Sequence, residues 1–134
     1  MSTAAAPTRN PLLLVEDEPS VMAYVRTALE RSGYTVACAP TGERAIEMAK
    51  SAEYIGVISD MRTPGSVNGA DLYDWLHLHR PVLAKKMLFI TGDTVNEETA
   101  KALERTGAPF IEKPFRVQQL LAMVKTVIGD RNDG

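Results

Sequence analysis

The sequence predicts a doubly wound α/β fold, in which helices cover both faces of a parallel sheet. Short apolar runs alternate with stretches of helical periodicity about five times along the 134 residues. These runs are too short for buried helices and are typical of strands covered on both faces. Five strands alternating with five helices imply right-handed crossovers within one sheet, and a chain of this length builds a single core.

The first two predicted strands flank an amphipathic helix. The apolar residues 12–15 predict a buried strand, and residues 34–39 predict a second strand that ends at Pro40. Between them, apolar side chains recur at the spacing of one helix face, and Gly33 marks the expected end of the helix. The apolar positions of this helix are Val21, Tyr24, Val25, Ala28 and Leu29.

The central segment predicts a helix, a strand and a turn-rich loop. Thr41 is the expected N-cap of a helix that keeps Glu43 and Glu47 on its outer side. Residues 54–59 form a third strand. The loop that follows, residues 62–69, is rich in residues that favour turns.

The last part of the chain predicts three helices and two short strands. A helical stripe consists of Leu72, Trp75, Leu76 and His79, and Pro81 is expected to close that helix. Residues 87–90 and 109–111 are predicted strands. The helix between them, residues 94–105, is weakly amphipathic, and its clear apolar positions are Val95, Ala100 and Leu103. The final helix, residues 117–128, has the strongest apolar stripe.

Composition bounds the function and the location. Fifteen Lys and Arg against 17 Asp and Glu give a net charge of -2 and a pI near 5.7, which argues against binding nucleic acid. No apolar run or export signal indicates a membrane segment. The single cysteine, Cys38, cannot form an internal disulfide, which is typical of the cytoplasm. We expect a disordered leader (1–10), one domain (11–129) and a C-terminal tail (130–134).

Charged and polar side chains follow four of the five predicted strands. In an open parallel sheet, the binding crevice lies beyond the carboxyl ends of the strands, so residues that follow the strands converge there. The residues at this rim are Glu16, Asp17, Glu18, Asp60, Thr91 and Lys113. The sequence therefore predicts an acidic pocket with one lysine and one threonine.

This set of residues suits phosphoryl chemistry assisted by magnesium. Adjacent carboxylates raise each other's pKa unless a cation neutralises them, and oxygen-only ligands favour Mg²⁺ over zinc or copper. An Asp carboxylate can then act as a nucleophile and form an aspartyl phosphate, which mainly requires charge neutralisation on the transferred oxygens. Asp60 is the candidate nucleophile, Glu16 and Asp17 are the metal candidates, and Thr91 and Lys113 would contact the remaining oxygens.

Four segments in order carry a family resemblance: LLLVEDEP, VISDMRTPG, LFITGD and PFIEKPF, each closing a predicted strand. Over residues 11–129 the chain resembles the CheY-like receiver domain of bacterial response regulators in two-component phosphorelay signal transduction. The resemblance implies a flavodoxin-like sheet with strand order 2-1-3-4-5. It also implies that a sensor histidine kinase, or a histidine phosphotransfer protein, donates the phosphoryl group to Asp60.

The resemblance also implies roles for individual residues. The implied magnesium ligands are Asp17, Asp60 and the backbone carbonyl of Arg62, with Glu16 acting through water. Thr91 and Lys113 would assist phosphoryl transfer to Asp60. Thr91 and Phe110 stand at the switch positions, and Pro114 stands at a cis-proline site, a geometry that costs little before proline.

Three details depart from the commonest pattern of this family. Glu16 stands where Asp is frequent, and Arg62 with Thr63 places a cation beside the pocket. The gap from Asp60 to Gly69 is one residue longer than usual. This loop, together with LFITGD, is more similar to the receivers attached to hybrid histidine kinases.

The resulting hypothesis is a stand-alone, single-domain response regulator whose phosphorylation changes a surface that a downstream protein partner reads. A homodimer through the same surface is a further expectation, and catalysis is expected only for its own phosphorylation and dephosphorylation. One alternative is a pseudo-receiver that never takes phosphate. Another is a magnesium-dependent phosphatase with an aspartyl nucleophile, but that class needs a second acid two residues on, where Arg62 stands. A flavin protein would need a glycine- or hydroxyl-rich phosphate-binding loop after the first strand, and the sequence has no such loop there.

Overall fold

A computed structural model of the chain describes residues 10–129. Its five parallel strands form one sheet in the order β2-β1-β3-β4-β5, which confirms the predicted doubly wound α/β fold. The strands are β1 (Leu12–Val15), β2 (Val36–Ala39), β3 (Gly56–Asp60), β4 (Met87–Thr91) and β5 (Phe110–Glu112). The predicted disordered leader and C-terminal tail lie, apart from Asn10, outside the described residues.

Helices follow the strands, and the described part of the chain contains one more than predicted. They are α1 (Pro19–Arg31), α2 (Gly42–Ser51), α3 (Gly69–His79), α4 (Pro81–Ala84), α5 (Glu97–Thr106) and α6 (Val117–Val127). Pro81 does not only terminate α3, because it also begins the short helix α4. Proline suits the first turn of a helix, where its missing N–H has no partner to lose.

The start of α5 differs from the predicted boundary. The carboxylate of Asp93 accepts hydrogen bonds from the backbone amides of Val95 and Asn96, both at 3.0 Å, and this turn delays the helix. Asn96 then caps the helix by accepting from the amide of Thr99 at 3.1 Å. The helix therefore begins at Glu97 and not at residue 94.

The apolar face of α5 also differs from the prediction. Val95 lies outside the helix and is 91% exposed, and Ala100 is exposed as well. Thr99 and Leu103 are the buried residues of this helix. Of the three apolar positions named from the sequence, only Leu103 is buried.

The sheet separates two apolar layers because successive side chains of a strand point to opposite faces. On one face Leu13, Val57 and Phe89 pack with residues of α2 and α3. On the other face Leu12, Ile58 and Leu88 pack with residues of α1 and α6. Strands β1, β3 and β4 are buried along their whole length, as expected for parallel strands covered on both sides.

Strand register brings the predicted site residues to one edge of the sheet. Asp60 pairs with Ile90, and Thr91 pairs with Glu112, at the carboxyl ends of their strands. The amide of Lys113 donates to the carbonyl of Thr91 at 2.8 Å, which extends this pairing by one residue. None of the helices between residues 10 and 129 is long and apolar enough to cross a bilayer.

Candidate functional site

Asp60 is the central side chain of the site. It ends β3 and is 8% exposed. Lys113, the residue after β5, donates from Nζ to Oδ2 of Asp60 at 2.9 Å. The backbone amide of Arg62 donates to Oδ1 at 3.0 Å. Each carboxylate oxygen therefore has one donor, and the two contacts fix the orientation of the carboxylate.

Glu16 lies beside this pair and is more buried than its charge would suggest. Its backbone amide continues the β1–β2 pairing, and its side chain is 2% exposed. Oε2 accepts from the amide of Glu18 at 3.0 Å, whereas Oε1 lies 3.7 Å from Nζ of Lys113. Within residues 10–129, no group donates a hydrogen bond to Oε1, so a buried acceptor is left without a hydrogen-bond partner. Such an oxygen is costly unless a cation or water satisfies it.

The close charges shift the pKa values of this cluster. Burial raises the pKa of Glu16, and the negative charge of Asp60 raises it further, although the hydrogen bond from the amide of Glu18 acts in the opposite direction. Burial alone would lower the pKa of Lys113. The hydrogen bond and charge of Asp60, with the charge of Glu16, outweigh burial, so the pKa of Lys113 is raised. Lys113 is thus held in its charged form.

The acidic cluster fits a divalent cation. One carboxylate oxygen from each of Glu16, Asp17 and Asp60 lies within 4.8 Å of the other two. Glu16 and Asp60 are buried whereas Asp17 is exposed, so the cluster reaches from the sheet edge to solvent. Carboxylate oxygens as ligands, among them the Oε1 of Glu16 that accepts no hydrogen bond from the described residues, suit a hard cation that keeps part of its water shell. The pocket could therefore bind a metal ion.

The remaining predicted residues surround this cluster at different depths. Thr91 is 3% exposed, and its Oγ1 accepts from the amide of Asp93 at 3.3 Å. The side chain of Arg62 is exposed, and its predicted carbonyl ligand role stays a prediction. Phe110 is 41% exposed on β5, and its switch role, with that of Thr91, also stays a prediction. The peptide bond before Pro114 is cis, as predicted.

Two contacts beside the site were not predicted from the sequence. Glu43, which was expected on the outer side of its helix, accepts hydrogen bonds from Ser66 in the loop after Asp60. The hydroxyl of Thr94, in the loop after β4, donates to the carboxylate of Glu112 in β5 at 2.9 Å. Neither contact leaves a periodic signal in the sequence, because the partners are 23 and 18 residues apart.

Several known proteins are similar to the chain over most of its length. A model of the response regulator receiver domain matches residues 12–125. The transcriptional regulatory protein CusR of Escherichia coli (strain K12) is 31% identical over 117 residues, which are 87% of this chain and 50% of CusR. The alkaline phosphatase synthesis transcriptional regulatory protein PhoP of Bacillus subtilis is 27% identical over 87% of this chain and 48% of PhoP. The chain thus spans about half the length of these curated relatives.

Solved structures of receiver domains are also similar to the chain. The receiver domain of NtrX from Brucella abortus has a TM-score of 0.78 at 28% identity, and the match covers 87% of this chain and 97% of that one. A CheY-like receiver domain from Methanospirillum hungatei JF-1 has a TM-score of 0.81 at 23% identity, which supports the fold. That match covers 94% of this chain and 98% of the other. The likeness to receivers of hybrid histidine kinases stays a prediction.

Because the family match covers most of the chain, and the acidic rim lies where the fold places a site, the chain belongs to the response regulator receiver domain family of two-component systems.

Proposed function

We propose that Asp60 accepts a phosphoryl group from a sensor histidine kinase or a histidine phosphotransfer protein, with Mg²⁺ bound at the acidic cluster. The observation that carries this proposal is the contact of 2.9 Å between Lys113 Nζ and Asp60 Oδ2, beside two further carboxylates. A lysine at this distance supplies positive charge where a phosphoryl oxygen would come to lie. Catalysis of phosphoryl transfer is mostly positioning and charge neutralisation, which this cluster offers.

The chain's own groups have separate tasks in this reaction. The amide of Arg62 and the ammonium of Lys113 orient the carboxylate of Asp60. In the transfer, a carboxylate oxygen of Asp60 forms a bond to phosphorus while the bond from phosphorus to the donor's histidine nitrogen breaks. Lys113 then pairs with a transferred oxygen instead of the carboxylate. Bound Mg²⁺ would supply further neutralisation of these oxygens.

Glu16, Asp17 and Asp60 are the side chains that would bind the ion, and the carbonyl of Arg62 is the proposed backbone ligand. The exposure of Asp17 gives the ion access from solvent. Glu16 is nearly fully buried, and its Oε1, which accepts no hydrogen bond from the described residues, is the acceptor that an ion or its water would satisfy. The site thus supports Mg²⁺ better than a metal that prefers nitrogen or sulfur.

The proposed output is a change of the surface made by α5 and β5, which a downstream protein partner reads. Thr91 lies at the end of β4, and its hydroxyl now accepts from the amide of Asp93. A phosphoryl oxygen at Asp60 would accept a hydrogen bond from this hydroxyl and draw Thr91 inward, and Phe110, which is half-exposed, could then repack. A homodimer through this surface belongs to the same proposal.

Two alternatives differ in what Asp60 does. A pseudo-receiver would bind partners without phosphate, but the paired Asp60 and Lys113 beside a metal-type cluster favour phosphorylation. A phosphatase would turn over phosphate esters with a second acid two residues after its nucleophile. Here that residue is the exposed Arg62. We therefore propose that the chain acts as no enzyme beyond its own phosphorylation and dephosphorylation.

Incubation with acetyl phosphate and Mg²⁺ tests the assignment. The wild type should gain one phosphoryl group in intact-mass spectrometry, and Asp60→Asn should gain none. Asp74→Asn is the matched control, because Asp74 is an aspartate on the exposed face of α3. Chelation of the metal with EDTA should abolish labelling of the wild type.

Each alternative predicts a different result in the same assay. A pseudo-receiver leaves the wild type unlabelled at any Mg²⁺ concentration. A phosphatase releases many equivalents of phosphate per chain from a small phosphate ester. Equal labelling of wild type and Asp60→Asn would show that the phosphoryl group resides on another residue and would refute the assignment.

A further inference from the structure

The loop between β3 and α3 connects Asp60 to Gly69 and carries the proposed carbonyl ligand at Arg62. At its start, the amide of Arg62 donates to Asp60. Within the loop, the hydroxyl of Thr63 donates to the carbonyl of Val67 at 2.7 Å. These two contacts shape the loop but do not attach its middle to the rest of the domain.

Glu43 makes that attachment from the first turn of α2. Its Oε2 accepts from the backbone amide of Ser66 at 3.0 Å and from the hydroxyl of Ser66 at 3.1 Å. The hydrogen bond from the Ser66 amide is the main cause that lowers the pKa of Glu43, so the carboxylate stays charged at neutral pH. An acid in this first turn also interacts favourably with the helix dipole, which keeps it at the helix start.

Glycines allow the loop to approach α2 this closely. A Cβ on Gly42 would lie 2.5 Å from the carbonyl oxygen of Val67, which is closer than real Cβ contacts. Gly65 has a φ of +91°, a conformation that other residues rarely adopt, and a Cβ there would lie 2.6 Å from the Glu43 carboxylate. The backbone of the loop is therefore fitted against the start of α2 at Val67 and at Gly65.

We infer that Glu43 is a positioning residue for the metal site, because it fixes the loop that presents the Arg62 carbonyl. This inference rests on the proposed function, since it concerns the magnesium site of the same pocket. The loop is held at one end by Asp60 and in its second half by Glu43. Removal of the Glu43 contact leaves the loop held by the hydrogen bond within it and by the one from the Gly69 amide to the Met61 carbonyl, so the Arg62 carbonyl is fixed less firmly.

The test compares Mg²⁺ binding by calorimetry for the wild type and for Glu43→Ala, Glu43→Gln and Glu47→Ala. Glu47→Ala is the matched control, because this glutamate lies one turn on in α2 and pairs only with Arg44 among the described residues. We expect Glu43→Ala to weaken Mg²⁺ binding about tenfold, the lower end of the effect of losing a group that supports a metal ligand. Glu43→Gln keeps an acceptor oxygen and should retain most of the affinity.

Two further readouts separate positioning from general stability. Hydrogen exchange of the Ser66 amide should accelerate in Glu43→Ala and not in Glu47→Ala. In the acetyl phosphate assay, Glu43→Ala should need more Mg²⁺ for half its maximal rate but reach the same rate at saturating Mg²⁺. A merely structural effect would lower the saturated rate and the melting temperature instead. Ser66→Ala, which removes only the hydroxyl, should give an intermediate weakening and serves if Glu43→Ala does not fold.

The outcomes distinguish this inference from the proposed function. If the wild type neither binds Mg²⁺ nor takes phosphate, the proposed function fails, and the inference fails with it. If the wild type does both, and Glu43→Ala binds Mg²⁺ as tightly as Glu47→Ala, the inference alone is overturned.

Discussion

Lys113→Met is expected to destabilise the metal-free protein because it removes the cation that faces Asp60 and Glu16. Nζ of Lys113 lies 2.9 Å from Asp60 and 3.7 Å from Glu16, and the three carboxylates of the cluster lie within 4.8 Å of one another. Methionine keeps the apolar stem of the lysine but removes the cation. The carboxylates of Glu16 and Asp60 would then remain buried without a counter-charge, which is unfavourable.

The magnitude follows from the geometry of the Lys113–Asp60 pair. Two unit charges about 3 Å apart attract by roughly 5.5 kcal/mol at an effective dielectric constant of about 20. The desolvation of both groups offsets much of this attraction, and hydrogen bonds to charged groups contribute about 1.5–3 kcal/mol net. The side chain of Lys113 is 30% exposed, so solvent screening reduces the value further. We expect a coupling free energy of about 2 kcal/mol.

A double-mutant cycle measures this coupling. Urea unfolding in EDTA at neutral pH is compared for the wild type, Lys113→Met, Asp60→Asn and the double variant. The exposed pair of Glu97 and Lys101 on α5 provides a control cycle, with a coupling near zero expected. Saturating Mg²⁺ should reduce the Lys113–Asp60 coupling, because the ion also neutralises the carboxylates. If Lys113→Met lowers the free energy of unfolding equally with and without the Asp60 carboxylate, the two groups are not coupled, and their short distance does not stabilise the fold.

Three further predictions concern other parts of the structure. The folded-state pKa of Glu16 is raised, so its ionised form lowers the free energy of unfolding at neutral pH. Glu16→Gln should therefore stabilise the metal-free protein at neutral pH. Urea unfolding should show that this gain vanishes as the pH falls to about 4.5. Gly69→Ala should destabilise by about 3 kcal/mol and weaken Mg²⁺ binding, because its Cβ would lie 2.8 Å from the carbonyl oxygen of Asp60; unchanged unfolding would contradict this. Gly56→Ala should cost about 2 kcal/mol through its clash with Ile128, at 2.7 Å, but calorimetry should find Mg²⁺ binding unaltered.

Most of the fold could be predicted because its signals are local. The run of apolar residues in β1 predicts a strand buried on both faces, and every residue of that strand is buried. Thr41 was the expected cap of α2, and its side chain accepts from the amide of Arg44. The rim residues converge because parallel strands bring their carboxyl ends to one edge. Asp60 and Lys113 are 53 residues apart in sequence, yet both could be named from this rule alone.

The errors arise where local signals compete or where the partner is distant. Pro81 was interpreted as a terminator, although proline equally suits the first turn of the helix that follows. Val95 was assigned to an apolar face, but Asp93 forms a turn that leaves Val95 outside α5. Glu43 is exposed, as its helical position predicts, but its contact with Ser66 was not foreseen because it depends on how the loop folds back. The hydrophobic periodicity of a sequence does not predict such a contact.

The most direct test of the account is the location of the phosphoryl group. Wild-type protein is incubated with acetyl phosphate and Mg²⁺ and then treated with hydroxylamine, which converts an acyl phosphate to a stable hydroxamate. Peptide mass spectrometry then identifies the modified residue. We expect a hydroxamate at Asp60, and none there when Mg²⁺ is omitted. Modification of Asp17 or Glu16 in place of Asp60 would contradict it.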